Sequence, residues 1–232
     1  MATYAISDIH GCLKTFRSLL ENGIKLRKTD NLYLLGDYVN KGPDSKGVLD
    51  YMLSLKESGF NVFCLRGNHD QLLLDAIDIG KGAIWLAEAD CQTTLKNFGA
   101  ADFSAIEEKY IRFIRSMPLF VLLDSFALVH AGCDFTYPQE ALFNDPYTLM
   151  NIKEFEPDRN KLRGRILLHG HKPVAANEIQ NAVLNQLPAV NIDAGCVYYK
   201  NPDFGNLAAF NLDAFSVHFQ PNCEALYSIN LK

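Results

Sequence analysis

Five of the six histidines in this 232-residue sequence fall at the ends of short apolar runs, and acidic or amide residues stand within two positions of His10 and His69. Ala5-Ile6-Ser7 leads into Asp8-Ile9-His10, and Leu32 to Leu35 leads into Gly36-Asp37. Val62 to Leu65 leads into Arg66-Gly67-Asn68-His69-Asp70, Ala127 to Val129 into His130-Ala131-Gly132, and Ile166 to Leu168 into His169-Gly170-His171. Carboxylate and amide oxygens together with imidazoles suit a two-metal hydrolytic site, in which one carboxylate bridges and open positions admit water and substrate. Asp8 and His10 share a face of an extended segment, because positions i and i+2 do, and could chelate one ion. Asp37 could bridge to a second, held by the Asn68 carbonyl oxygen with His130 and His171. Taken singly, an Asp or Asn after a strand is a helix cap and a histidine is a buried imidazole. That plainer explanation has to hold separately at every one of five strand ends, so the joint reading is preferred. His169 could share the face of His171 or simply support it. His218, in the alternating run Phe215, Val217, Phe219, is expected at the surface.

The elements that would position these residues can be read from periodicity. Residues 3–7 form a strand, and a helical face of Leu13, Phe16, Leu19 and Leu20 follows, stopped near Gly23. After the strand ending at Asp37, residues 44–58 repeat the helical pattern through Val48, Met52 and Leu55, with Gly59 as the stop. Strand 61–65 precedes a third helix opened by Asn68. This alternation predicts a parallel-sheet front half. Residues 80–102 read as less regular. Ser104 and Glu107 have capping-box spacing before an amphipathic face of Ile106, Tyr110, Phe113 and Ile114. Strands are then predicted near 119–123, 126–130, 165–169, 189–193, 196–199, 207–212 and 215–219, with Asp145-Pro146 opening an intervening helix. The expectation is an α/β chain of one domain, residues 1–232, with two packed sheets and helices outside.

Composition narrows the partners. A net charge of −5 gives no general attraction to nucleic acid or acidic membranes. Six scattered cysteines without a C-x-x-C pair read as reduced thiols in a cytoplasmic protein. No apolar run approaches the length of a membrane span.

Five ordered motifs then carry a resemblance: Asp8-Ile9-His10-Gly11, Gly36-Asp37-Tyr38-Val39-Asn40-Lys41-Gly42, Arg66-Gly67-Asn68-His69-Asp70, Val129-His130-Ala131-Gly132 and Gly170-His171-Lys172-Pro173. Together they resemble the phosphoprotein-phosphatase branch of the calcineurin-like metallophosphoesterases, which includes bacterial serine/threonine protein phosphatases and symmetrical dinucleoside tetraphosphatases. Trp85 to Gly99 and Asn191 to Tyr198 also look like bacterial members. The resemblance implies a four-layer α-β-β-α sandwich of two mixed sheets with a dinuclear site at one end. It assigns Asp8, His10 and Asp37 to one divalent ion and Asp37, Asn68, His130 and His171 to the other, with Mn²⁺ first and Fe or Zn²⁺ as alternatives. It implies in-line attack by a hydroxide bridging the ions, with His69 as general acid and Arg66 binding phosphate.

Two departures stand in the catalytic set. Asn40-Lys41 replaces the family's Asp-Arg, so His69 loses a negative partner and the phosphate loses a bidentate one. Lys153 is the counterpart of a second family arginine or else a solvated helix residue. A phosphatase acting on phosphoproteins, phosphopeptides or small phosphoesters is the first functional expectation. A symmetrical bis(5'-nucleosyl)-tetraphosphatase is the nearest alternative, and a metal-holding scaffold with weak turnover is the non-enzymatic one.

Overall fold

The computed structural model describes residues 1–78, 89–225 and 227. Two mixed sheets face each other. The first is ordered β3-β2-β1-β8-β9, from strands β1 (Thr3–Ile6), β2 (Asn31–Leu34), β3 (Asn61–Cys64), β8 (Asn206–Asn211) and β9 (Ser216–Pro221). The second is ordered β4-β5-β6-β7, from β4 (Phe120–Leu122), β5 (Phe126–Val129), β6 (Ile166–His169) and β7 (Ala189–Asn191). β1, β2 and β3 are parallel, as are β5, β6 and β7, while β8, β9 and β4 run antiparallel to their neighbours.

Register decides where the chemistry lies. Ile6 pairs with Leu34 and Leu34 with Cys64, so three parallel strands end level, and their following turns emerge at one edge. In the second sheet Leu128 pairs with Leu168, which brings the turns after β5 and β6 together in the same way. In parallel sheets, ligands gather beyond the carboxyl ends of the strands.

Alternation along the strands builds the layers. Ala5, Tyr33, Leu35 and Leu65 point between the sheets, where they meet Phe126, Leu128, Ile166, Leu168, Val190 and Phe210. The opposite face of the first sheet, with Ile6, Leu32, Leu34 and Val62, packs on helices α1 (Leu13–Ser18), α2 (Ser45–Glu57), α3 (Asn68–Asp78) and α5 (Glu108–Arg115). Phe16, Val48, Met52, Leu73, Ile111 and Ile114 are their contributions. Behind the second sheet, Ala127, Val129 and Leu167 are covered by Leu142, Leu162 and Leu149 of helix α6 (Pro146–Asn151). Two further α-helices among the described residues are α4 (Ala89–Phe98) and α7 (Ala176–Leu184), the latter packing Ile179 and Val183 into the core between the sheets. The expected four-layer α-β-β-α sandwich is therefore the fold. Among the described residues, no helix is long and apolar enough to cross a membrane.

Three local expectations differ. Residues 196–199 turn instead of forming a strand, and Gly195 makes a single bridge to Asn206. Ser104 caps nothing: Asp102 accepts from the Ser104 N–H to close a short 3₁₀ turn, and α5 starts only after Glu107. The stretch 89–98, read as irregular, is helix α4, whereas Gly80, Gly82 and Trp85 lie outside the described residues. The Asp145-Pro146 start holds, with the Asp145 carboxylate accepting from the Tyr147 N–H at 3.0 Å.

Candidate active site

The turns beyond the strand ends are strained. Asp8, His10, Asp37, Asn40, Lys41 and His171 have φ of 52°, 45°, 57°, 70°, 65° and 77°. Non-glycine residues rarely adopt this left-handed region, and clusters of them mark sites where the backbone is held in place by its surroundings. The restraint is visible. The His10 and Gly11 N–H groups donate to the Asp37 and Tyr38 carbonyls at 2.9 Å each, which joins the first two turns. Asp70, fully buried, accepts from the N–H groups of Asp37 (2.8 Å), Tyr38 (3.0 Å) and Gly67 (3.0 Å), which joins the second and third. The Gly170 N–H donates to the His130 carbonyl at 2.8 Å, joining the last two. Close approach needs glycine at two points: a Cβ on Gly67 would collide with Asp37, and one on Gly170 with Ser7 and Asp8.

These turns converge on Asp37. One carboxylate oxygen lies 3.4 Å from His10 Nε2 and the other 3.5 Å from His130 Nε2. Asn68 Oδ1 lies 3.0 Å from His130 Nε2 and 3.1 Å from His171 Nδ1. Asp8 accepts from the Ser7 hydroxyl and from the His171 N–H. The ligand-bearing atoms of His10, Asp37 and His69 form one close group and those of Asp37, His130 and His171 another, so Asp37 belongs to both.

The donor set fits a pair of divalent ions. His10 Nδ1 and His130 Nδ1 each lie 2.9 Å from a backbone carbonyl, of Val39 and Leu35. An imidazole that donates from Nδ1 offers a lone pair on Nε2, and both Nε2 atoms face Asp37. Asp8 Oδ1 and His171 Nε2 are buried without a hydrogen-bond partner among the described residues. Buried polar atoms are almost always paired, so orphans on residues of this cluster suit cations. Electrostatics agree. Burial, with Lys41 adding to it, pushes His10 down to about 3, and burial, helped by His130, pushes His171 to about 4. Both rings are thus neutral donors at pH 7. Burial opposes a charge on His130 too, yet Asp37 and Asp8 outweigh it and raise its pKa. Burial and the neighbouring Asp8 charge raise Asp37.

Asn40 is held from behind. Its backbone N–H donates to Ser45 Oγ (3.1 Å) and Thr94 Oγ1 (3.0 Å), and the Thr94 hydroxyl donates to Asn40 Oδ1 at 2.7 Å. That bond fixes which way the amide points, leaving Nδ2 to donate to His69 Nδ1 at 3.1 Å. His69 then carries its proton on Nε2, and burial together with Lys41 lowers its pKa well below the usual value. Lys41 Nζ sits 2.8 Å from His10 Nε2 and 5.5 Å from the centre of the Tyr198 ring.

A cleft of about 500 Å³ opens over the cluster, lined by Asp37, Asn68, His69 and His171, by Lys41, Lys153 and Lys172, and by Tyr147 and Tyr198. Arg66 is not among its lining residues. Its guanidinium lies in the field of Asp70, Asp75 and Arg115 instead, with Nε buried and without a hydrogen-bond partner among the described residues. His169 is buried with its ring 5.2 Å edge-on to Phe155, and His218 is exposed. Cys133 and Cys196 are buried, and burial pushes the Cys133 thiol up to about 12. A larger cleft of about 910 Å³, lined by Arg159, Arg163 and Asp213, lies at the opposite end of the sheets, away from the cluster. Thr94, Asp70 and Tyr147 escaped the sequence reading. The Asn68-His69-Asp70 run carries a hint only for Asp70.

The family described as calcineurin-like phosphoesterase matches residues 1–214. A symmetrical bis(5'-nucleosyl)-tetraphosphatase of Nitrosomonas europaea is 29% identical over 195 residues, 83% of this chain and 68% of that protein. Its counterpart in Aromatoleum aromaticum is 35% identical over 132 residues, 57% of this chain, and the match spans only 44% of that protein's length. Among solved structures, one provisionally assigned as a diadenosine tetraphosphatase superposes with a TM-score of 0.67 at 22% identity, over 96% of this chain and 94% of the other. A serine/threonine phosphatase of Saccharomyces cerevisiae gives 0.65 at 14% identity, over 100% and 82%. Likeness at these identities speaks for the fold alone. The family's phosphoester hydrolysis on dinuclear divalent centres matches the paired His/Asp groups around Asp37. The chain belongs to the calcineurin-like phosphoesterases.

Proposed function

We propose that this protein hydrolyses dinucleoside tetraphosphates symmetrically, releasing two nucleoside diphosphates. The observation that carries the reading is the shared carboxylate of Asp37 at the floor of a cleft whose walls hold three lysines and two tyrosines. A long polyphosphate needs distributed cations, and lysine supplies them as point charges along a chain. The curated relatives named tetraphosphatases support the same substrate class. Likeness to solved protein phosphatases is one of fold, at 12–14% identity, and lends phosphoprotein substrates no support.

Asp8, His10 and Asp37 would hold one divalent ion, and Asp37, Asn68, His130 and His171 the other. Such ions supply Lewis acidity, neutralising phosphoryl charge and making a water acidic enough to attack near neutral pH. The mixed oxygen and nitrogen donors admit Mn²⁺ first, with Fe or Zn²⁺ as alternatives. Lys41, at the cluster and beside Tyr198, binds a phosphoryl oxygen of the scissile group. His69, oriented through Asn40, gives the proton that the departing nucleoside diphosphate oxygen takes only while its ring carries two, a state that burial and Lys41 confine to pH below the usual imidazole range. Above that it donates a hydrogen bond from Nε2. Arg66 contributes charge from behind the third turn and not a bidentate contact in the cleft. The free cysteines suit a cytoplasmic setting.

The test is product analysis. Metal-stripped protein resupplied with Mn²⁺ is given diadenosine tetraphosphate, a phosphopeptide and p-nitrophenyl phosphate in parallel, with His69→Asn as the control. Two molecules of ADP per substrate, lost in the mutant, are expected. Inorganic phosphate from the phosphopeptide with diadenosine tetraphosphate left intact would return the protein to the phosphatase reading.

A further inference from the structure

Tyr147 is 73% exposed, the most exposed large hydrophobic side chain lining the cleft, while Leu149 and Met150 of the same helix are buried. A water-facing ring forgoes the burial that a tyrosine can gain, so its use lies in what it meets. Its backbone is rigid. Pro146 opens helix α6, Asp145 accepts from the Tyr147 N–H, and the Asn151 amide donates to the Tyr147 carbonyl at 2.9 Å. The helix is also tied to the cluster, because the Ala131 N–H, one residue after His130, donates to the Leu149 carbonyl at 2.9 Å. The backbone that carries the ring is therefore held at a fixed position relative to the turn after His130. Lys153 follows two residues beyond the end of the same helix, and Lys172 lies beside His171.

We propose that the Tyr147 ring is the stacking platform for one nucleobase of the substrate, and that Lys153 and Lys172 guide the polyphosphate from that base to the cluster. The inference rests on the tetraphosphatase reading and adds a specificity residue to it. A flat π face suits any base, since stacking is tolerant of base identity, and a positively charged channel beside it tracks the phosphates. Lys172 is partly committed to Glu154 at 3.1 Å, both exposed, which leaves Lys153 as the freer guide. A phosphomonoester without an aromatic group has no use for Tyr147. Hydrolysis of guanosine and adenosine forms at similar rates is what a stacking platform implies.

The experiment measures binding, by calorimetry, of ADP and of inorganic pyrophosphate to metal-loaded wild-type, Tyr147→Ala, Tyr147→Phe and Tyr147→Trp proteins. The wild type is expected to prefer ADP, and Tyr147→Ala to lose about tenfold in ADP affinity with pyrophosphate affinity retained. The Phe and Trp variants should keep the preference, because the face of the ring and not its hydroxyl makes the contact. Equal losses for both ligands would mean a structural role and would overturn the proposal, as would an ADP affinity untouched by Tyr147→Ala. A fall in phosphopeptide turnover with the ADP preference intact would overturn it in favour of a peptide-binding ring. If wild-type protein leaves diadenosine tetraphosphate uncut, the functional reading fails by itself, and the ADP comparison still decides the platform.

Discussion

Replacing the Asn40 amide by a carboxylate should change how His69 ionises. An imidazole gives up a proton only while it carries two, so turnover falls as pH rises through its pKa. Burial and Lys41 hold that pKa well down, and Asn40 offers an N–H where only an acceptor would favour the imidazolium. Asn40→Asp is expected to move the alkaline limb of the kcat–pH profile upward by about one unit; an unchanged profile would count against the role given to the pair. Thr94 acts through Asn40. Thr94→Val frees the amide to rotate and should lower kcat about fivefold, the worth of roughly one hydrogen bond. In an Asn40→Ala background the same change should cost almost nothing, which a double-mutant cycle reads directly. The gathering of Asp8, His10, Asp37, Asn68, His130 and His171 at one edge was legible because each follows a strand inside a recognisable run. Thr94 and Tyr147 were not, because a threonine inside a helix and a tyrosine near a helix start look the same whether or not they face a site.

Helices and strands were read more reliably than the joints between them. Alternation and the glycine stops placed the front strands and helices, since burial on one face leaves a strong period in the chain. Residues 196–199 misled because Val197 and Tyr198 have strand-like side chains, while Gly195 at φ 63° turns the backbone before a ladder can form. Helix α4 was missed because its Thr94 and Asn97 look polar and undirected; Asn97 accepts from the Ser45 N–H at 2.8 Å and donates to the Pro43 carbonyl at 2.7 Å, so they clamp the Asn40–Ser45 turn. The turn after β6 makes the sharpest test at this scale. Gly170→Ala would push a Cβ into Ser7 and Asp8, and overpacking of this kind costs ~1–3 kcal/mol. A drop in Tm of about 4–10 °C is expected, together with weakened metal binding by titration. A variant that melts and binds as the wild type does would show that the turn can yield.

The proposed ligands come from both sheets: Asp8, His10, Asp37 and Asn68 follow strands of the first, and His130 and His171 follow strands of the second. Metal binding should therefore stabilise the whole sandwich. At a free metal concentration one hundred times Kd, linkage contributes about 2.7 kcal/mol per site, about 5.4 kcal/mol for two, so Mn²⁺ should raise the Tm of chelator-treated protein by about 10–20 °C. Calorimetry showing no shift would argue against ions spanning the sheets. The level strand ends that make such spanning possible follow from register, which the sequence constrains only through its alternation, and the partner of β1 on its far side could not be read at all. That partner is β8, paired as Ala5 with Phe210 and Ile6 with Ala209, more than 200 residues downstream. During synthesis on the ribosome, β1 to β3 emerge and can pair early, but β1 keeps an open edge until nearly the last strands have left the tunnel. An unprotected central strand is a template for joining another chain. A nascent chain halted near residue 200 should associate with its own kind, whereas one extended past 221 should be released monodisperse.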